Sequence, residues 1–158
     1  MIQSDSKALN TADREIVTTR VLNAPRELVF KVWTDPQHVM HWWGPTGFTT
    51  TIEQMQVKPG GVWRFVMHGP DGVDYLNRVV FIEVERPERL VYVHGGEEGE
   101  PGEFHVTVTF AALGNKTSLT MRALFESAAE RDKVIREHGA IDGAKQTIDR
   151  LEAYLAGI

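Results

Sequence analysis

EFHVTVTFAALGNKTSLTMRALF, running from Glu103 to Phe125, decides the fold class of this chain. Within it Phe104, Val106, Val108 and Phe110 share one parity while His105, Thr107 and Thr109 share the other, the alternation of a strand with one buried face. Gly114-Asn115 supplies a tight turn, and Leu119 and Met121 carry the apolar parity onto the returning strand. The stretch predicts an antiparallel hairpin over Glu103–Leu113 and Lys116–Phe125.

Upstream, the same period of two recurs between turn signals, predicting strands at Thr49–Val57, Gly61–His68, Val73–Val84 and Arg89–His94. Their connections are KPGG, GPDG, ERPE and the long acidic GGEEGEPG. Nearer the N-terminus, EIVTTRVL (Glu15–Leu22) reads as a strand, and Asn23 before Pro25 signals a helix start. Leu28, Val29, Val32 and Trp33 then recur at helical spacing until Asp35-Pro36 ends the pattern, and a second short helix spans Gln37 to Trp42. Downstream, Ser127 with Glu130 forms a capping box for a helix to about Glu137. After Gly139 a longer helix carries the stripe Ile141, Ala144, Ile148, Leu151 and Leu155. The sheet is the one large apolar surface available to that stripe. The fold class is therefore α+β: a curved antiparallel seven-stranded sheet wrapped on a long C-terminal helix, with two short helices after the first strand. Residues 1–13 are expected to be a flexible segment and 14–158 a single domain.

Composition removes several function classes. At 158 residues, 42% hydrophobic and 25% charged, the chain fits one globular domain. Twenty-two acidic against 17 basic residues give a net charge of −5, and the scattered Lys and Arg form no stripe for nucleic acid. The absence of cysteine excludes disulfides, thiolate metal sites and a cysteine nucleophile, and suits the cytoplasm. No signal segment and no membrane span are legible. Neither a cofactor nor a metal is expected.

The informative side chains are aromatic. Trp33, Trp42, Trp43 and Trp63 either line a half-open apolar pocket or cap the core; adjacent Trp42 and Trp43 point different ways, so one of them is expected to face a cavity. Trp63, Phe65 and Met67 form the bulky row of their strand and the expected inner wall, leaving Arg64 outside. Val80, Ile82 and Val84 are placed inward on the next strand, with a bulge near Tyr75 able to reverse that register. His94 shares parity with Leu90 and Tyr92 and is the first choice for a polar ligand contact. Phe48, Tyr75, Phe104, Val106, Val108 and Met121 join the cavity set, and Ile141, Ala144 and Ile148 supply its lid, with Gly143 at the seam. Acid–base chemistry there would fall to His94 and Tyr75, or to Arg122 or His105 in another register. His38 and His41 lack a third ligand and read as structural or solvated. No nucleophile elbow, phosphate-cradling loop or metal motif occurs. The GGEEGEPG loop reads as solvated and placed to gate a cavity mouth.

Val32 to Thr50, VWTDPQHVMHWWGPTGFTT, resembles the signature of the activator-of-heat-shock-ATPase-like family in the START-like, birch-pollen-allergen-like helix-grip superfamily. The matching residues are Asp35-Pro36, His38 and Trp42-Trp43-Gly44-Pro45, joined downstream by Lys58-Pro59-Gly60-Gly61-Val62-Trp63-Arg64-Phe65. The resemblance implies the helix-grip fold over about residues 14–156. It also implies binding of a small hydrophobic molecule, with a cyclase, dehydratase or hydrolase on a hydrophobic carbonyl compound as the alternative. The eukaryotic namesake stimulates a heat-shock chaperone's ATPase with an additional N-terminal domain that this sequence does not include, so a stress-response chaperone partner ranks third. The chain is expected to be a monomer or homodimer.

Overall fold

Where Gly and Pro punctuate the sequence, the chain turns. β1 (Glu15–Leu22) is followed by two short helices, α1 (Arg26–Thr34) and α2 (Pro36–Val39). The meander then runs β2 (Thr49–Met55), β3 (Val62–His68), β4 (Asp74–Glu85), β5 (Arg89–Gly95), β6 (Phe104–Leu113) and β7 (Lys116–Leu124). Two helices, α3 (Ala128–His138) and α4 (Ala140–Ala156), complete the chain. The computed structural model describes residues 11–95 and 102–158. The frayed segment expected over 1–13 thus lies outside the described residues as far as residue 10, and the expected gating loop lies outside them at 96–101. Residues 12–14 form a 3-10 turn, held where the Arg14 guanidinium donates to the Phe125 carbonyl at 3.0 Å.

All seven strands join one antiparallel sheet in the order β1-β7-β6-β5-β4-β3-β2. The meander accounts for every neighbour but one: β1 returns beside the last strand, pairing Glu15 with Leu124 through Leu22 with Thr117. This is the helix-grip arrangement, with α4 held in the concave face. Local chemistry fixes the helix starts. Pro25 occupies the N-cap position of α1 in extended backbone, and no side chain caps that end, so Asn23 does not play the role expected of it. The Asp35 carboxylate accepts from the Gln37 N–H at 2.9 Å and Pro36 opens α2, which ends at Val39 rather than Trp42. Ser127 accepts from the Glu130 N–H at 3.1 Å, and Gly139, in left-handed backbone, ends α3 and starts α4.

Two bulges set which side chains face inward. In β2 the register shifts between Ile52 and Gln54, so Thr50 and Ile52 face the core before it and Met55 after it. In β4 the shift falls between Phe81 and Glu83, with Ile82 the extra residue. This corrects the expected register. Val79 and Phe81 are buried and Ile82 is 48% exposed, while Val84 packs on the core because the bulge restores its parity.

The hairpin β6–β7 is tied to the chain entering α1 by Thr117, fully buried, whose hydroxyl donates to the Ala24 carbonyl at 2.8 Å. No helix among the described residues is long and apolar enough to cross a membrane. Thr117→Val keeps the shape but strands that carbonyl, and is expected to cost about 1–3 kcal/mol. Urea denaturation checks this, and an unchanged midpoint would show that the bond carries no stability.

Candidate functional site

The concave face has two halves of different side-chain volume. Toward one end Leu22, Leu90, Val108, Phe110 and Leu119 meet α1, and a cluster of rings fills the space. Trp33 lies edge-on to Trp42, Trp43 and Phe110, with centroids 5.0, 6.0 and 5.7 Å away, and Trp43 meets Trp63 at 4.8 Å. Ile148, Leu151 and Leu155 of α4 belong to the same cluster. Toward the other end the helix presents Ala140, Gly143, Ala144 and Thr147, and these small residues leave a cleft of about 470 Å³.

Strand by strand the cleft wall continues the rows that fill the core. β5 passes from Leu90 in the core to Tyr92 and His94 at the cleft, and β6 passes from Val108 to Val106 and Phe104. β7 contributes Met121 and Ala123, and β1 contributes Ile16 and Thr18. Trp43 stands at the boundary, 7% exposed, against Trp63 and Phe65 on one side and the cleft on the other. The lining also includes Gly44, Pro45 and Tyr75, and Val134 and His138 of α3.

One hydrogen-bond relay enters this apolar surface. The Asn77 side-chain amide donates to the Tyr75 carbonyl at 3.1 Å, which turns its oxygen toward His94. His94 Nε2–H donates to that oxygen at 2.9 Å, so the proton sits on Nε2 and Nδ1 keeps its lone pair. Nδ1 makes no hydrogen bond among the described residues. Desolvation drops the His94 pKa from 6.5 to about 4, which keeps the ring neutral at physiological pH. Tyr92 is 1% exposed, its hydroxyl likewise bonds no described residue, and burial pushes its ionisation up.

A latch holds the rim loop to α4. Arg150 Nη1 donates to the carbonyls of Trp43, Gly44 and Pro45 at 3.3, 2.9 and 3.2 Å, and the Gln146 side-chain oxygen accepts from the Thr46 N–H at 3.1 Å. Tyr154, nearer the C-terminus, meets His38 Nδ1 at 2.7 Å and stacks on His41. These two histidines thus have a structural partner. Among the described residues no group of three His, Cys, Asp or Glu could hold a metal. Thr51, His68 and Asp74 form a string with 2.8 Å at each link, in the order of a hydrolase triad. It lies on the solvent side of the sheet, with His68 and Asp74 38% and 60% exposed, and that position encloses no substrate.

Of the aromatic and apolar residues expected at a cavity, Trp43, Met67, Tyr75, Tyr92, His94, Phe104, Val106, Met121 and Ala144 line the cleft. Trp33, Trp42, Trp63, Phe65, Val108 and Ile148 do not: all are buried in the packed half. Trp42 is turned there by its indole N–H, which donates to the Val32 carbonyl at 3.1 Å. Phe48 leans on Tyr75 outside the cleft lining, with centroids 6.0 Å apart. Ile141 falls about 100° around the helix from Ala140 and misses the lining. Asn77, Thr18 and Ala140 were missed, although the small-residue spacing Ala140, Gly143, Ala144 was legible as a place where volume is withheld.

The family model described as "Activator of Hsp90 ATPase homolog 1-like protein" matches residues 23–156. Among solved structures, a solution structure of a protein from Arthrobacter aurescens is similar, at 28% identity and a TM-score of 0.86, over 94% of this chain and 90% of that one. A crystal structure of a Mycobacterium smegmatis protein follows the same fold at 24% identity and a TM-score of 0.82, over 92% of this chain and 93% of that one. DynU16, from the dynemicin biosynthetic locus, shares the fold at 19% identity and a TM-score of 0.64, over 90% of this chain and 47% of its own. No curated protein matches.

His94 gives the site a pH signature. Between pH 6.5 and about 4 the unfolded chain takes up a proton that the folded His94 refuses, so stability falls as pH drops through that window. His94→Gln retains a donor for Asn77 and removes the titration. Its stability deficit relative to the parent chain is therefore expected to shrink from pH 7 to pH 4 in urea denaturation. A deficit independent of pH would refute the assignment.

Proposed function

The chain belongs to the Activator of Hsp90 ATPase homolog 1-like family, and from that premise we propose that it binds a small hydrophobic molecule in the cleft between the sheet and α4. The observation that carries the reading is the cleft itself. Its roughly 470 Å³ falls within the range of about 300–1,000 Å³ usual for small-molecule sites, and its wall is mostly aliphatic and aromatic with few polar groups. Affinity would come from removing apolar ligand surface from water at about 25 cal/mol per Å².

Binding ranks above catalysis on one ground. A general base works best with a pKa near the operating pH, and His94, held near 4, is a weak base at neutrality. Contact with a chaperone rests on the family's name, so it ranks behind both.

Gly143 offers a test that separates binding from folding. A Cβ built there meets nothing within 4 Å, and the residue lines the cleft inside a helix. Gly143→Leu is expected to plug the cleft while stabilising α4 by roughly 0.5–1 kcal/mol. Titration with the neutral fluorescent probe N-phenyl-1-naphthylamine should saturate on the parent chain and fail on the variant, whose melting temperature should rise. Undiminished probe uptake by a folded Gly143→Leu variant would place binding elsewhere, and no uptake by the parent chain would reject the proposal.

A further inference from the structure

We infer that the guest of this cleft is an uncharged lipophilic alcohol or phenol, whose hydroxyl group is taken by Tyr92 and His94 together. The inference rests on the ligand-binding reading above and narrows it to a chemical class.

Charge is the first selector. Among the described residues lining the cleft none is Asp, Glu, Lys or Arg. The nearby cation, Arg150, is not part of the lining, and its Nη1 already serves three carbonyl oxygens. A fatty acid, sulfonate or phosphate ester would therefore lose its hydration without gaining a counter-charge, and an ammonium would find no carboxylate in the lining.

Hydrogen bonding is the second. Tyr92 and His94 occupy same-face positions of β5, with ring centroids 6.5 Å apart. Among the described residues one offers an O–H without an acceptor and the other a lone pair without a donor, because the Asn77 relay has already claimed Nε2–H. A guest that shields both groups from water must bond them, because a polar group left unmet once water is excluded costs free energy. A ketone matches Tyr92 alone and leaves Nδ1 unmet, whereas a hydroxyl accepts from Tyr92 and donates to His94. Phe104, also in the lining, stands beside His94 at 4.9 Å, so the polar pair is bordered by a ring suited to an apolar body.

The test displaces N-phenyl-1-naphthylamine at neutral pH with three guests of similar shape: 2-naphthol, 2-naphthoate and 2-methylnaphthalene. The expected order has 2-naphthol about tenfold or more tighter than 2-naphthoate and several-fold tighter than 2-methylnaphthalene. Tyr92→Phe removes an oxygen that bonds nothing described in the protein, so folding should be unaffected. It should weaken 2-naphthol roughly three- to tenfold and leave 2-methylnaphthalene unchanged. Naphthoate binding as tightly as naphthol, or a Tyr92→Phe variant that treats naphthol like the parent, overturns the inference while leaving the cleft a hydrophobic site. Failure of the parent chain to take up the probe at all sinks the binding reading, and this one with it.

Discussion

The site depends on how α4 is seated. Ile148, Leu151 and Leu155 lock into a cluster that includes Trp33, Trp42, Trp43 and Trp63, and this fixes one half of the helix on the sheet. Polar bonds then fix its direction. Among the described residues, the side chains of α4 that bond to the rest of the fold begin at Gln146 and run through Asp149, Arg150, Glu152 and Tyr154. The preceding turns carry no such bond and present Ala140, Gly143 and Ala144. A helix anchored along its second half bridges the space beyond its anchor when the bridging residues are too small to fill it. The cleft is thus an outcome of large and small residues placed in sequence along one helix.

This division explains how far the sequence could be read. Strand order and helix placement were legible because alternation and turn chemistry are local, and the hairpin from Glu103 to Phe125 states them most clearly. The register of β4 was not, because Val80, Ile82 and Val84 are apolar on one parity and Val79 and Phe81 on the other. A single extra residue at Ile82 chose between them, and a bulge leaves little mark in composition. Among the tryptophans the limit was different. Adjacent Trp42 and Trp43 were bound to diverge, but their destinations depend on the Trp42 bond to Val32, ten residues back. Asn77 was passed over because its value lies in a relay through His94 on the neighbouring strand, a pairing that only the sheet creates.

The aromatic half carries its own costs. Among the described residues the indole N–H groups of Trp33 and Trp63 are buried without a partner, while that of Trp42 is satisfied. Each orphan donor costs on the order of 1–3 kcal/mol, which the surrounding ring burial must exceed for the cluster to form. In that half the cost is sealed into the interior. The Tyr92 hydroxyl and His94 Nδ1, which also bond no described residue, differ in belonging to side chains that line the cleft.

The most lightly packed element of the cleft lining is α3. That helix contains no buried residue, although Val134 and His138 contribute to the cleft lining. Its ties include the Arg131 bond to the Glu15 carbonyl at 2.7 Å and the turn at Gly139, which carries no side chain to restrict the backbone. Elements with little buried apolar surface open at lower free energy than the core does. Parting α3 from the sheet is therefore expected to cost less than parting α4 from the tryptophan cluster. The two sides of the cleft are thus held unequally: the wall and its polar pair continue from the packed half, and α3 is held lightly.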